Sequence, residues 1–233
     1  MIFVHLGAGA GDRDKGANFR CGFTEFIKNK YQNGFSIFAV EANPLNIEKL
    51  KLSYKDFKNV EIINLAISPN DAEELLLYYA KDDGPHYQVC SSDINHVKKH
   101  YPNSEIDKVV VKAMSINNFF EKYVDFEIDY LSIDIEGLDY EVLMSINFKK
   151  FNINNISIEY LHLEKCQKKN MINFLTNNGY SYCGFGYDYN NFDYLFKKKK
   201  IIWNVILSKL LHLISTKDYK IFNYFIVDKK KTI

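Results

Sequence analysis

Asp134 and Glu136 stand one residue apart at the end of an otherwise apolar run, Ile128 to Ile135. Two acids at a strand end facing a crevice are costly to hold there without a purpose. Such a pair can act as a general base, accept hydrogen bonds from substrate hydroxyls, or together offer hard oxygen ligands to Mg2+. Alternatively, one of them caps the next helix and complements its dipole. Glu159 and, three residues later, His162 end another apolar run and are expected to line the same crevice. His86 is a further candidate base, because the ordinary imidazole pKa suits proton transfer near neutrality. The plainer reading of either lone histidine is structural.

Near the N-terminus, Val4-His5-Leu6 runs into Gly7, Gly9 and Gly11 at every second position. This reads as a strand, a tight glycine turn and a helix start, where backbone can lie flush against a ligand and unpaired N–H groups face it. The spacing is G-x-G-x-G, and Asp12 stands where the third glycine of a dinucleotide fingerprint would fall. Glu41 ends the run Ser36 to Ala42, beside that turn. A carboxylate there can hold vicinal ribose hydroxyls, although it follows Gly11 by 30 residues rather than the roughly 20 of dinucleotide folds. Its alternative is a solvated strand-end acid.

Strands and helices alternate in the order needed to bring these residues together. Predicted strands span Ser36 to Ala42, Val60 to Ser68, Leu75 to Tyr79, Val109 to Met114, Ile128 to Ile135 and Ile156 to Tyr160. Helices are expected from Asn18 or Thr24 to about Tyr31, after Pro44, over Ile116 to Lys122, around Tyr140 to Met144, and over Lys165 to Asn178 before Gly179. Ser181 to Tyr187 and Phe192 to Phe196 read as a terminal antiparallel pair. Lys81 to Pro102 reads as a long irregular loop, a common form for an active-site lid. The whole is an α/β doubly wound, mostly parallel sheet, with its crevice at the strands' C-terminal ends.

The chain has 233 residues and a net charge of +1, which carries no nucleic-acid signature. The charge is uneven: from Phe196 onward ten Lys oppose Asp218 and Asp228, a net of +8 against −7 elsewhere. Cys21, Cys90, Cys166 and Cys183 have neither zinc-finger nor disulfide-scaffold spacing, so reduced thiols in a cytoplasmic protein are expected. No signal peptide and no membrane-spanning run is read. The Tyr180, Tyr182, Tyr187, Tyr189 series reads as packing rather than a sugar platform.

With these stretches in view, the chain resembles the FkbM family of S-adenosylmethionine-dependent methyltransferases. The matching pieces are VHLGAGAGD, FAVEANPLNIEKL, IINLAIS, IDYLSIDIEGLDYEVL and ISIEY, in that order, over roughly residues 2 to 196. The resemblance implies a Rossmann-like class I methyltransferase domain over residues 1–196. It implies that Gly7, Ala8, Gly9 and Gly11 approach the methionyl part of S-adenosylmethionine. It further implies that Glu41 and Ala42 hold the ribose, that Ala66 lies near the adenine, and that Asp134 and Glu136 stand beside the methyl-transfer site. His5 departs from the family, which usually has Asp there to fix the glycine loop; either His5 or another group takes that role. The acceptor implied is a hydroxyl of a carbohydrate or related small metabolite, in a surface-glycan pathway. Two other readings stand beside it: a nicotinamide-dependent sugar oxidoreductase, and a binding module that kept the fold and lost the reaction.

Residues 197–233 lie outside the resemblance. Lys197 to Lys200 precede an apolar stretch containing Trp203, the pattern of a basic amphipathic helix lying on a membrane surface. The alternative is a helix packed on the sheet or on a second subunit.

Overall fold

The computed structural model describes residues 1–13, 21–30, 35–84, 87–124, 127–187 and 191–199. Asn18, His86, Tyr189 and the expected tail helix lie outside the described residues.

The central sheet is built from β1 (Ile2–Leu6), β2 (Ser36–Glu41), β3 (Val60–Asn64), β8 (Glu127–Ile133), β9 (Asn152–Glu159), β10 (Tyr180–Phe185) and β11 (Asp193–Lys198). Between β3 and β8 run β4 (Ala66–Ser68), β5 (Glu74–Ala80), β6 (Cys90–Ser91) and β7 (Ile106–Ser115). The helices are α1 (Gly22–Lys30), α2 (Ile47–Ser53), α3 (Ile94–His100), α4 (Ile116–Tyr123), α5 (Asp139–Ser145) and α6 (Lys165–Asn177). The order across the central sheet is β10-β11-β9-β8-β1-β2-β3. Strands β3, β2, β1, β8 and β9 are parallel, while β11 is antiparallel to both β9 and β10. The strand order reverses between β1 and β8, so a crevice opens at their C-terminal ends.

Alternation along the strands explains the two-faced core. In β1, Phe3 points to one face, where it packs with Phe23 and Ile27 of α1 and Leu50 of α2. Val4 and Leu6 point to the other, with Phe119 and Phe120 of α4, Val142 and Leu143 of α5, and Met171 and Leu175 of α6. Each such large apolar side chain contributes about 1.5–3 kcal/mol when fully buried. Helices on both faces of a mostly parallel sheet are the doubly wound class expected. The antiparallel terminal pair is present too, and β11 runs through Lys198, past the expected boundary at 196.

Two expectations need correction. The run Val60 to Ser68 is two strands. It breaks at buried Leu65, after which β4 leaves the central sheet and pairs with β7 in a second sheet of order β4-β7-β5-β6. A continuous apolar run cannot by itself reveal a change of partner. The stretch 81–102 carries β6 and α3 rather than being irregular. Asp93 caps α3 by accepting the Asn95 amide at 2.8 Å, and buried Asp83 ties the preceding loop to the Tyr101 hydroxyl at 2.6 Å. In addition, Thr24 lies buried inside α1 rather than capping it, its hydroxyl 3.0 Å from the Cys21 sulfur.

Candidate active site

The C-terminal ends of β1, β2, β8 and β9 and one side of the second sheet enclose a cavity of about 420 Å³, within the range of small-molecule sites. Gly7, Ala8, Gly9, Gly11, Glu41, Ala42, Ala66, Asp134, Glu136, Glu159 and His162 all line it. Of the candidate catalytic and cofactor-binding residues read from the sequence, His86 lies outside the described residues.

The turn after β1 needs glycine for two different reasons. Gly7 has φ +77°, and a Cβ there would lie 1.5 Å from the Asp134 carbonyl oxygen, so the two strand ends approach as closely as backbone allows. Gly9 has φ +52° with open space beside it, which leaves its backbone bare towards the cavity. Glu41 fixes this turn. Its Oε2 accepts the Gly9 amide at 2.8 Å and its Oε1 accepts the Asn43 amide at 2.7 Å. Burial pushes the Glu41 carboxyl up to about 7, against the opposing pull of those two amides. Each carboxylate oxygen accepts more than one hydrogen bond, so capacity remains for a ligand hydroxyl.

His5 does not hold the loop. It is buried against Phe23, ring centroids 4.9 Å apart, with its Nε2 3.6 Å from the Cys21 sulfur and its Nδ1 without a partner among the described residues. Burial pushes its pKa down to about 3, so it is a neutral ring at working pH. Among the described residues, a side chain that does hold the glycine turn is Glu41, through the Gly9 amide.

Across the cavity, burial and the neighbouring Glu159 and Glu136 carboxylates hold Asp134 well above the ordinary carboxylate range. Such a carboxyl binds protons avidly and ionises more readily beside a cation. The turn that follows is strained. Glu136 adopts φ +56° and Gly137 φ +110°, a conformation that an L-residue such as glutamate rarely keeps without support. Asp139, the first residue of α5, supplies that support by accepting the Ile135 amide at 2.8 Å and the Gly137 amide at 3.1 Å. The turn directs the Glu136 carboxylate to His96 Nε2, 2.9 Å away. Glu159 Oε1 lies 3.5 Å from His162 Nε2.

Four residues of the site escaped the sequence reading. Asp139 sits inside the IDIEGLD stretch, three residues after Glu136, the spacing of an acid that caps its own turn. Asn46 lines the cavity with its amide nitrogen on the Tyr87 carbonyl at 3.1 Å and its buried Oδ1 unpartnered among the described residues. His96 and His100 are four apart, so they share one face of α3. Their H-x-x-x-H spacing was the available signal, hidden by reading the segment as loop.

Several solved structures resemble this chain at low identity. Aeropyrum pernix fibrillarin, in complex with natively bound S-adenosyl-L-methionine, is 14% identical, with 84% of this chain and 64% of that chain covered at a TM-score of 0.42. Methanococcus jannaschii fibrillarin pre-rRNA processing protein is 14% identical, covering 86% and 67% at 0.42. Precorrin-6y C5,15-methyltransferase from Geobacter metallireducens GS-15 is 12% identical, covering 84% and 78% at 0.37. This chain thus spans about two thirds of the length of the two fibrillarins. No curated protein matches the sequence. Among the described residues, no helix is long and apolar enough to cross a membrane. A family model does match most of the chain, over residues 10–182 and across the Glu41 and Asp134 strand ends, and by that match the chain belongs to the methyltransferase FkbM domain family.

Proposed function

We propose that this methyltransferase takes S-adenosylmethionine as methyl donor and transfers the methyl to a hydroxyl of a carbohydrate or related small metabolite, as a step in surface-glycan biosynthesis. The observation that carries the reading is that one cavity joins the Glu41-tied glycine turn to the half-buried Asp134 and the buried Glu159. The chain's own residues fit the donor. The bare Gly9 backbone leaves room where a side chain would intrude, Glu41 has acceptor capacity for ribose hydroxyls, and Asn46 Oδ1 is a buried acceptor in need of a donor. When bound, S-adenosylmethionine supplies a sulfonium methyl.

The residues act by alignment and charge. Displacement at a sulfonium gains most from holding the two reactants in line, which a cavity with fixed ends provides. Ionised Asp134 favours a cationic donor over its neutral thioether product. Asp134 or Glu159 takes the acceptor's hydroxyl proton as the oxygen attacks. A mixture of acids and imidazoles supports a hydroxyl acceptor, since both can accept from or donate to it. For the tail, outside the described residues, we retain a peripheral membrane or homodimer contact as the proposal.

The test is isothermal titration with S-adenosylmethionine and S-adenosylhomocysteine, with NAD as the comparison ligand. Binding of the sulfur ligands, weakened at least tenfold by Glu41→Ala, is expected, followed by methylation of glycan acceptors in a screen of sugar nucleotides and oligosaccharides. Stabilisation by NAD alone would transfer the site to a hydride-transfer reaction. Binding of neither in folded protein would leave only a ligand-binding fold.

A further inference from the structure

Beside the cavity, whose lining includes His100 and His162, three histidines from two separate segments meet. His96 and His100 project from α3, and His162 follows β9. Their rings contact one another pairwise, with centroids 5.0 Å (His96–His100), 4.7 Å (His96–His162) and 5.1 Å (His100–His162) apart. One ligand nitrogen from each lies within 4.8 Å of the other two. Glu136 and Glu159 form a second such group with the same His162. Each acid also faces one of the rings, Glu136 with His96 at 2.9 Å and Glu159 with His162 at 3.5 Å.

Three imidazoles facing one another gain little from packing alone. One ring nitrogen of each stands close enough to those of the other two for a single ion to be shared. The arrangement has also been built at a cost in backbone strain. Glu136 reaches His96 from a left-handed backbone held by Asp139, a conformation that persists only where its surroundings hold it. A carboxylate paired with a histidine is the usual support that fixes the orientation of a metal-ligating ring.

We propose that His96, His100 and His162, with Glu136 as adjoining carboxylate, bind one divalent transition-metal ion of the zinc class. Nitrogen-rich donors select zinc over magnesium, which takes oxygen ligands. The ion therefore belongs here rather than at the Asp134 and Glu136 pair considered from the sequence. Zinc–nitrogen bonds of about 2.0–2.1 Å bring tetrahedral ligand atoms to roughly 3.4 Å apart, so loading draws the rings inward by about an ångström. Three histidine ligands leave a coordination position open to the cavity. Its use rests on the function proposed above. An acceptor hydroxyl held there would give up its proton to Asp134 or Glu159, its oxygen would form the new C–O bond, and the donor's S–C bond would break to leave a neutral thioether.

The experiment is a titration of the full-length, chelator-treated protein with zinc(II) alone, with cobalt(II) as the spectroscopic probe. One ion per chain is expected, with visible d–d absorption of low-symmetry cobalt. His100→Ala, a change at an exposed position, should weaken zinc binding at least tenfold while the far-UV spectrum stays unchanged. Millimolar magnesium should not compete. His96→Gln, which conserves side-chain size and polarity, serves as the second variant should alanine at 100 perturb folding, and the same loss is expected from it. No stoichiometric zinc, or zinc binding unchanged in the folded variants, would overturn the site. A parallel titration with S-adenosylhomocysteine separates the two proposals. Zinc bound without it keeps the metal centre and removes the methyltransferase chemistry, whereas its binding without zinc removes the metal centre alone.

Discussion

The Glu41 carboxylate accepts the Gly9 amide at 2.8 Å, so a side chain at the end of β2 fixes the backbone turn at the end of β1. The same carboxylate accepts the Asn43 amide at 2.7 Å, which couples the glycine turn to the start of the segment leading into α2. One buried acid thus shapes two sides of the cavity before any ligand arrives.

Glu41 makes stability depend on pH in a definite direction. Its folded pKa of about 7 lies above the ordinary 4.5, so the folded state binds the proton more tightly than the unfolded chain. The associated stability is fully present below 4.5 and is lost as pH rises through about 7. Thermal melts of the ligand-free protein should therefore show wild type losing ground to Glu41→Gln across that window, with a constant gap above it. A gap independent of pH would place the Glu41 carboxyl in the ordinary range.

The glycine turn separates two kinds of damage. Gly7→Ala drives a methyl into the Asp134 carbonyl at a position of φ +77°, so a loss on the order of 4 kcal/mol or failure to fold is expected. Gly9→Ala meets no atom and bears only the strain of φ +52°, about 1–2 kcal/mol. It should fold and still bind S-adenosylhomocysteine at least tenfold more weakly, because the new methyl stands where the ligand approaches. Equal melting temperatures for the two variants would contradict this distinction.

Much of this arrangement was legible in residue order. Apolar runs ending in Glu41, Asp134 and Glu159 marked strand ends, and glycines at every second position marked the turn, because strand burial and left-handed backbone each leave a local signature. The split at Leu65 was not legible, since both halves are buried and only their partners differ. The segment holding α3 was misread because a helix of seven residues with Lys98, Lys99 and His100 in its last turn has little apolar periodicity. His96 and His100 were lost with it. The meeting of His96 with Glu136 depends on a left-handed turn at a non-glycine residue, and no local rule announces that conformation.

Asp139 should prove a stability residue with a local signature. Asp139→Ala leaves the Ile135 and Gly137 amides without their acceptor, at a cost of about 1–3 kcal/mol. Hydrogen exchange should quicken at those two amides more than in β8 itself. The Glu136 backbone, no longer held at φ +56°, should release His96 as well. Uniform acceleration across the sheet would mean that Asp139 supports the fold at large rather than this turn.

Asp134→Asn tests the chemistry directly, because it keeps size and removes charge. Loss of a general base costs typically 10²–10⁴-fold in turnover. Binding of S-adenosylhomocysteine should change only a few-fold, while that of S-adenosylmethionine should weaken more, since the removed charge faces a cation. The acid limb of the wild-type rate profile should lie above the ordinary carboxylate range, because burial and Glu159 raise the Asp134 pKa, and it should vanish in the variant. Methyl transfer at the wild-type rate in Asp134→Asn would leave Glu159 as the proton acceptor and reduce Asp134 to a partner of the Gly7 turn.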